Sequence, residues 1–289
     1  FKELRNSLKN KGYKFKTSSD TEVLLNSYHC YKEKCLDLFI GMFAFAIYDA
    51  TDNSIFIARD RLGVKPLYYK NNGQFVFSSE IKSILKMSKN NSSIDLNSVS
   101  SYLSFRSPPI ESTFFTGIKQ LAPAHYIKYK NNNLKIVRYW DLSNSLSLSR
   151  VDKGELYYIE KLKNLLASSV KYRMISDVPI GSYLSGGVDS SAIVSIMSDS
   201  QKLPVNTYTI GLKDANEFDY AKIISQQYNT IHYEMTVSPN DYLSTTKKMI
   251  DFKDSPIGVP NEVFIYLMSK KLKNKATVVL TGEGADEIF

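Results

Sequence analysis

From residue 155 onward, apolar positions follow a helical period and then short strand-like runs. Apolar residues recur at three- and four-residue steps, which predicts an amphipathic helix; they are Leu156, Ile159, Leu162, Leu165, Leu166 and Val170. Strands are predicted at residues 178–184, 205–210, 231–237 and 277–281, and helices at residues 190–197, 218–228 and 262–272. This alternation predicts a parallel sheet covered by helices, which binds ligands at the carboxyl ends of its strands.

Residues 1–142 have a different pattern, in which strands and turns follow one another. The longest apolar run, Leu38 to Tyr48, is interrupted by Gly41, and we interpret it as a buried strand. A second strand is expected at residues 54–58, and a hairpin over residues 67–77 turns at Asn-Gly. A helix is predicted for residues 20–28, with Ser19 or Asp20 as its cap. The region is therefore expected to be α+β with antiparallel pairing.

A serine-rich, aperiodic stretch separates these two patterns at residues 143–154 and is the best candidate for a linker. The 289 residues suit two domains, predicted at residues 1–142 and 155–289. The chain begins with Phe1 and ends directly after an acidic motif, so we expect a fragment that lacks both ends and that does not perform the whole protein's function on its own.

Composition excludes several classes of protein. Hydrophobic residues make up 43% and charged residues 23%, as in ordinary globular proteins. No apolar run approaches the roughly 18–20 residues of a membrane helix. The net charge of +8 comes from scattered lysines, which favours an anionic small-molecule substrate over nucleic acid.

The cysteines and histidines offer no obvious catalytic or metal-binding group. Cys30 and Cys35 are five positions apart, which predicts inert reduced thiols in a cytoplasmic protein. His29, His125 and His232 are isolated in sequence and are interpreted as structural residues.

The strongest chemical signal is Leu-Ser-Gly-Gly-Val-Asp-Ser-Ser at residues 184–191, between a predicted strand and a predicted helix. Gly186 and Gly187 let the backbone approach a ligand, and N–H groups at a helix start bind anions. Ser185 and Ser190 can donate hydrogen bonds to phosphate oxygens, and Asp189 implies a bridging Mg²⁺. A simple Gly-Gly turn with a capping aspartate is the alternative interpretation.

These residues resemble the Ser-Gly-Gly-x-Asp-Ser loop of the ATP pyrophosphatase family, which includes the asparagine, GMP, NAD and argininosuccinate synthetases. The loop lacks the Gly-x-x-x-x-Gly-Lys pattern of kinases and GTPases. The resemblance implies cleavage of ATP to AMP and pyrophosphate, with an adenylated acceptor.

A second motif, Thr-Gly-Glu-Gly-Ala-Asp-Glu at residues 281–287, follows the last predicted strand. Its carboxylates would repel one another unless a cation or hydrogen-bond donors gather them. An acidic helix N-terminus is the alternative. The motif is similar to the Ser-Gly-Glu-Gly-Ser-Asp-Glu turn of asparagine and β-lactam synthetases. That resemblance implies that Asp286 and Asp189 hold Mg²⁺ and that Glu283 serves acyl-adenylate formation and receives the amine. It further implies an adenosine site lined, largely through backbone groups, by Leu184, Ile210, Thr281 and Gly282.

The first half resembles a class II glutaminase domain in three stretches, residues 17–22, 41–46 and 59–69. The first stretch implies that Asp20 binds the α-amino group of glutamine. We interpret residues 41–69, with an Arg59–Asp structural pair, as core and turn. Such glutaminases are N-terminal nucleophile hydrolases of αββα type, whose nucleophile is a cysteine at the first mature position.

Taken together, the motifs resemble the glutamine-hydrolysing asparagine synthetases, with a glutaminase domain before a Rossmann-like ATP pyrophosphatase domain. The resemblance implies a carbon–nitrogen ligase that uses ATP, Mg²⁺, glutamine and a carboxylate, aspartate above all, and that is compatible with a homodimer. Alternative acceptors are those of β-lactam formation, peptide cyclisation and sugar-acid amidation. A basic nucleic-acid-binding protein is a remote alternative.

Overall fold

The computed structural model describes residues 1–88, 92–145, 151–273 and 275–288. The chain divides into two compact units, Phe1–Arg150 and Val151–Phe289. Residues 146–150 of the predicted linker lie outside the described residues. In the part of the chain that is described, no helix is long and apolar enough to cross a membrane.

The first unit begins with helices and continues as antiparallel strands. Its helices are α1 (Lys2–Asn10), α2 (Asp20–Tyr31), α3 (Ile81–Met87) and α4 (Leu96–Phe105), with 3₁₀ helices at Lys32–Leu38 and Leu142–Ser145. Its strands are β1 (Ala44–Asp49), β2 (Ser54–Arg59), β3 (Tyr68–Asn72), β4 (Gln74–Ser78), β5 (Lys119–Gln120), β6 (His125–Lys130) and β7 (Asn133–Arg138).

These strands form two antiparallel sheets, with the orders β1-β2-β6-β7 and β4-β3-β5. Phe56 and Ile57, on opposite faces of β2, are fully buried and belong to different core clusters. Tyr28 of α2 stacks on Phe56 at 5.0 Å between ring centroids, so the helix covers one face of the first sheet. The predicted antiparallel α+β pairing is confirmed.

The interpretation of residues 38–48 as one buried strand is wrong. Only Ala44–Asp49 is a strand, and the preceding residues leave a 3₁₀ helix that ends at Leu38. Gly41 has a φ of +146°, which interrupts an extended strand at that point. Ile40 is 73% exposed and Met42 51% exposed, so an apolar run did not ensure burial.

Arg59 is a structural residue, as predicted, although its bonding partners are main-chain carbonyls. It is buried, and its guanidinium donates to Lys65 O at 2.7 Å, Gly63 O at 2.6 Å and Leu121 O at 2.5 Å. One side chain therefore ties β2, the following turn and the approach to β6 together.

The neighbouring Asp60 is equally buried and is bonded to amides instead of to Arg59. Its carboxylate accepts from the N–H groups of Phe43, Leu62, Val64 and Lys65 at distances between 2.9 and 3.2 Å. The predicted Arg59–Asp pair is thus two separate main-chain anchors within one turn, because each charge finds enough backbone partners of its own.

Cys35 and the three histidines have structural surroundings. Burial raises the pKa of the Cys35 thiol to about 12, which keeps it protonated and unreactive. Each histidine Nδ1 has one hydrogen-bonding neighbour: Tyr13 hydroxyl for His29 at 3.0 Å, Pro123 carbonyl for His125 at 2.7 Å, and Thr207 hydroxyl for His232 at 2.9 Å.

The second unit alternates strands and helices. Its elements are α5 (Glu155–Arg173), β8 (Ile180–Tyr183), α6 (Val188–Ser200), β9 (Asn206–Leu212), α7 (Phe218–Gln227), β10 (Ile231–Val237), α8 (Pro239–Lys253), α9 (Asn261–Leu272) and β11 (Val278–Leu280). The four strands form one sheet in the order β10-β9-β8-β11, and every pairing is parallel. The predicted parallel sheet is confirmed.

Gly181 allows β8 and β9 to pack beneath the α9 helix. A Cβ at Gly181 would lie 2.5 Å from Cε2 of Tyr208 and 2.9 Å from the Asn206 carbonyl oxygen. Tyr208 is 1% exposed and packs with Met268 and Leu272 of α9. The side chain of Tyr208 therefore occupies the space that any larger residue at position 181 would need.

We expect Arg59→Lys to destabilise the first unit by about 2–3 kcal/mol, because an ammonium cannot reproduce three divergent bonds to buried carbonyls. Urea unfolding followed by tryptophan fluorescence measures this loss. Arg173→Lys is the matched control, because Arg173 is exposed and donates to only the Ser169 carbonyl. Equal stability losses in the two variants would contradict the anchoring role of Arg59.

We expect Gly181→Ala to destabilise the second unit by about 1–3 kcal/mol through overpacking against Tyr208. Gly187→Ala is the control, because a Cβ at Gly187 meets only Ser185 Oγ at an ordinary 3.4 Å. Calorimetric melting of both variants tests the difference. A Gly181→Ala protein that melts with the wild type would show that Tyr208 moves aside freely.

Candidate active site

Two loops leave the same edge of the parallel sheet and enclose one cavity. Strand β8 leads into residues 184–187 and helix α6, and its neighbour β11 leads into residues 281–287. The cavity has a volume of about 390 Å³. Carboxyl ends of adjacent parallel strands form the usual ligand site of open α/β sheets.

The first loop is held by hydroxyl groups of its own serines. Ser190 Oγ lies 2.9 Å from Ser185 Oγ and also accepts from the Ser185 N–H at 3.2 Å. Ser185 Oγ accepts from the Gly187 N–H at 3.2 Å, and Ser191 Oγ donates to the Gly187 carbonyl at 2.7 Å. These bonds shape the loop at the N-terminus of α6.

Gly186 is required by the packing of this loop. Its φ is +86°, and a Cβ there would lie 2.5 Å from the Tyr220 carbonyl carbon and 2.7 Å from the Ala221 nitrogen. The first turn of α7 therefore rests directly on the glycine. Gly186 serves loop closure against α7 and, like Gly187, is absent from the residues that line the cavity.

The second loop touches the first at Gly282. A Cβ at this glycine would lie 2.6 Å from the Ser190 nitrogen, 2.7 Å from the Asp189 carbonyl carbon and 2.9 Å from the Asp189 Cβ. The loop then turns with Glu283 N–H donating to Thr281 Oγ1 at 3.2 Å. The close backbone approach at Gly282 brings the two sequence motifs to one site.

The charges of the cavity lining have one sign. Five carboxylates line it, Asp189, Glu217, Glu283, Asp286 and Glu287, and none of the lining residues in the described chain is Lys, Arg or His. A polyphosphate would be repelled by these side chains unless cations accompany it.

The donor set suits a hard cation. Mg²⁺ is bound in proteins by one or two carboxylates together with substrate phosphates and water. Asp189 is half-buried and Asp286 exposed, and both line the cavity. No cluster of three or more His, Cys, Asp or Glu side chains in the described residues could hold a metal ion by itself. A magnesium that arrives with nucleotide phosphates would find carboxylate ligands in Asp189 and Asp286.

Most of the residues predicted from the two motifs line this cavity. They are Leu184, Ser185, Asp189, Ser190, Ile210, Thr281, Gly282, Glu283 and Asp286. The backbone of Leu184 is already engaged, because its N–H donates to Tyr208 O at 2.9 Å and its carbonyl accepts from Thr209 Oγ1.

Sequence reasoning missed one wall of the cavity. Helix α9 contributes Asn261, Phe264, Ile265 and Met268, which follow the i, i+3, i+4, i+7 spacing of a single helix face. The same spacing was visible in the sequence, but it indicates only an amphipathic helix and does not show what the face contacts. Glu217, the N-cap of α7, also lines the cavity and belongs to neither motif.

Asp20 lies in the first unit, at the start of helix α2. It is exposed, and its carboxylate accepts from the Thr21 N–H at 2.8 Å. Ser19, not Asp20, is the N-cap, because its side chain accepts from Thr21 N. The Asp20 carboxylate retains free acceptor capacity for an ammonium group.

Glu22 holds the turn that precedes Asp20. Its carboxylate accepts from the Lys16 and Thr17 N–H groups, both at 2.7 Å, and from the Thr17 hydroxyl at 2.6 Å. The Thr17 hydroxyl is the main cause that lowers the pKa of Glu22. The ionised carboxylate therefore determines the conformation of residues 16–19.

Comparison with known proteins agrees with the division of the chain into two units. Residues 1–140 match the family model of the glutamine amidotransferase domain, and residues 161–289 match that of asparagine synthase. The protein is thus of the class that joins an amidotransferase domain to a synthase domain. In both halves the chain is similar to the glutamine-hydrolysing asparagine synthetases.

Named relatives support the assignment. The chain is 35% identical over 291 residues to asparagine synthetase 1 of Bacillus subtilis (strain 168), and this alignment covers 99% of the chain and 45% of the relative. It is 32% identical over 305 residues to synthetase 3 of the same organism, covering 99% of the chain and 49% of the relative. Identity to asparagine synthetase B of Escherichia coli (strain K12) is 29% over 301 residues, covering 96% and 48%. The chain therefore spans about half the length of these relatives.

We expect Gly282→Ala to separate the two loops, because its methyl group would overlap the backbone at positions 189 and 190. The predicted cost is about 1–3 kcal/mol, with faster amide exchange in residues 185–191. Hydrogen-exchange mass spectrometry and urea unfolding measure both effects. Ala285→Ser, in the same loop, is the control, and unchanged exchange in Gly282→Ala would show that the loops are not in contact.

We expect the first unit to lose stability as acid protonates Glu22. Because the folded-state pKa of Glu22 is lowered, its contribution is present above the unfolded-state pKa and is lost as pH falls through the folded-state value. Glu22→Gln should therefore flatten the dependence of the melting temperature on pH. The range to measure is roughly pH 6 to pH 3, which covers the titration of carboxylates. Glu160→Gln, at an exposed position of α5, should leave the dependence unchanged, and parallel curves for wild type and Glu22→Gln would refute the role.

Proposed function

We propose that the second unit binds ATP at the cavity between the two loops and cleaves it between the α and β phosphates. The observation that carries this proposal is the contact of Gly282 with Asp189 and Ser190, because it joins two motifs that are distant in sequence. The chemistry of the loops supports the proposal, since serine hydroxyls and N–H groups at the start of α6 suit a pyrophosphate.

The carboxylates have distinct proposed roles. Asp189 and Asp286 would hold Mg²⁺, which supplies positive charge to neutralise the departing pyrophosphate. Leu184, Ile210, Thr281 and Gly282 line the adenosine, with ordered backbone groups that require no reorganisation when the nucleotide binds. Glu283 is proposed as the catalytic residue that serves acyl-adenylate formation and receives the amine.

The proposed reaction is the ATP-dependent amidation of a carboxylate. A carboxylate oxygen attacks the α-phosphorus of ATP, pyrophosphate leaves, and ammonia from glutamine then displaces AMP to form the amide. Aspartate is the favoured acceptor, because the relatives named above are asparagine synthetases. A second acceptor is not favoured by any observation on the cavity.

For the first unit, we propose a glutaminase of the N-terminal nucleophile type in which Asp20 binds the α-amino group of glutamine. Proposed bounds are residues 1–142 for this domain, residues 143–154 for a linker and residues 155–289 for a Rossmann-like ATP pyrophosphatase domain. We further propose that the enzyme is a cytoplasmic homodimer. Its partners would be the small molecules glutamine, ATP and aspartate, and it would bind neither nucleic acid nor membrane.

Nucleotide binding is the first test. Calorimetric titration of the 289-residue chain should show binding of ATP that requires Mg²⁺ and is abolished by EDTA. Asp189→Asn and Asp286→Asn should each weaken this binding by about tenfold or more, since each removes one charged ligand of the bridging cation. Asp199→Asn is the matched control, because Asp199 is exposed at the other end of α6. Wild-type affinity in both site variants, or no binding by the wild type, would refute the proposal.

Acceptor identity is tested by pyrophosphate release from the full-length enzyme. We expect release with L-aspartate to exceed that with other carboxylic acids, including glutamate and sugar acids, and to fall by about 100-fold or more in Glu283→Gln. Glu287→Gln, in the same loop, is the control. Faster pyrophosphate release with a different acid would identify that acid as the acceptor, and the proposed cleavage of ATP would still stand.

A further inference from the structure

Two buried hydroxyl groups on neighbouring strands donate to the carbonyls that precede the two loops. Thr209 is 4% exposed, and its Oγ1 donates to the carbonyl of Leu184, the residue that opens the first loop. Ser182 is fully buried, and its Oγ donates to the carbonyl of Leu280 at 3.2 Å, one residue before the second loop. Each loop therefore begins at a carbonyl held by a side chain of a neighbouring strand.

The Leu184 carbonyl lies just beyond the last hydrogen-bonded pair of β8 and β9. The pairing of β8 with β9 extends from Gly181 to Tyr183, so Leu184 lies one residue beyond the last paired position. Its N–H still reaches Tyr208 O, but its carbonyl needs another donor to be satisfied in the interior. The hydroxyl of Thr209 supplies that donor and sets the direction in which the chain enters the loop.

Ser182 performs the equivalent task between β8 and β11. It is paired in register with Leu280, and its hydroxyl is shared between the carbonyls of Leu280 and Tyr183, the latter at 3.1 Å. This side chain connects the last residues of the two strands that carry the loops. A change in its direction would move Gly282 against Asp189, where the backbones are already in contact.

We propose that Thr209 and Ser182 are positioning residues for nucleotide binding, through the Leu184 and Leu280 carbonyls that precede the two loops. This rests on the proposed function of the cavity. Thr209 also lines the cavity, whereas Ser182 acts entirely from beneath it. The ligands they serve are the nucleotide and its accompanying cation, whose binding groups occupy the two loops.

Strand β9 offers a matched comparison two residues away. Thr207 is fully buried like Thr209, but its hydroxyl lies 2.8 Å from Thr230 Oγ1 and 2.9 Å from His232 Nδ1. None of these residues belongs to a loop at the cavity. Replacing either threonine by valine removes one buried hydroxyl at constant shape, so only the position of the lost hydrogen bond differs.

The test compares Thr209→Val, Thr209→Ser and Thr207→Val in the full 289-residue chain. Hydrogen-exchange mass spectrometry without nucleotide follows residues 185–191, and titration with ATP and Mg²⁺ gives the affinity. We expect Thr209→Val to accelerate exchange in this segment by about fivefold to tenfold and to weaken binding similarly, the size expected for one lost hydrogen bond. Thr209→Ser, which retains the hydroxyl, should restore both values.

Thr207→Val should lower the melting temperature without changing exchange in residues 185–191. Equal acceleration in the two valine variants, or wild-type exchange in Thr209→Val, would overturn the proposal for Thr209. If Thr209→Val does not fold, hydrogen exchange in residues 281–285 of Ser182→Ala tests the proposal instead. Ser225→Ala is its control, because Ser225 is a buried serine on α7. A wild-type chain that fails to bind ATP would refute the proposed function, and the exchange measurements would still decide whether these hydroxyls position the loops.

Discussion

The candidate site depends on one close contact between backbones. Gly282 meets Asp189 and Ser190 so closely that a single added carbon would lie within 2.9 Å of three of their atoms. This contact requires that β8 and β11 be neighbours in the sheet, in parallel and in register, as they are. Every proposed role of the two loops follows from it, because only adjacent loops can share one nucleotide and one cation.

That contact collects negatively charged side chains at the cavity where we propose that an anionic nucleotide binds. Five carboxylates and no basic side chain line the cavity among the described residues. For the proposed nucleotide, positive potential would come from the N–H groups at the starts of helices and from an accompanying divalent cation. Under the proposed function, a magnesium–nucleotide complex would therefore suit the cavity better than free nucleotide.

The first unit is organised by charges that bind the backbone. Arg59 satisfies three carbonyls, Asp60 satisfies four amides, and Glu22 holds the turn before Asp20. Charged side chains such as those of Arg59 and Asp60 are rarely buried without bonding partners, and here main-chain groups supply them. Their bonding shows that Arg59 and Asp60 stabilise a loop. Glu22 shapes the surroundings of a candidate ligand-binding residue.

The sequence alone determined the parallel sheet of the second unit, the antiparallel pairing of the first, and nearly all residues of the two loops at the cavity. These follow from local rules, since hydrophobic period, turn chemistry and strand–loop–helix order are properties of short segments. The exposure of Ile40 and Met42 was decided only by the tertiary structure. So were the main-chain partners of Arg59 and the placement of the α9 face at Phe264 against the cavity. The same is true of the hydroxyls of Thr209 and Ser182. The physical reason is that each of these depends on what a distant segment places against it, and one-dimensional patterns carry no record of that neighbour.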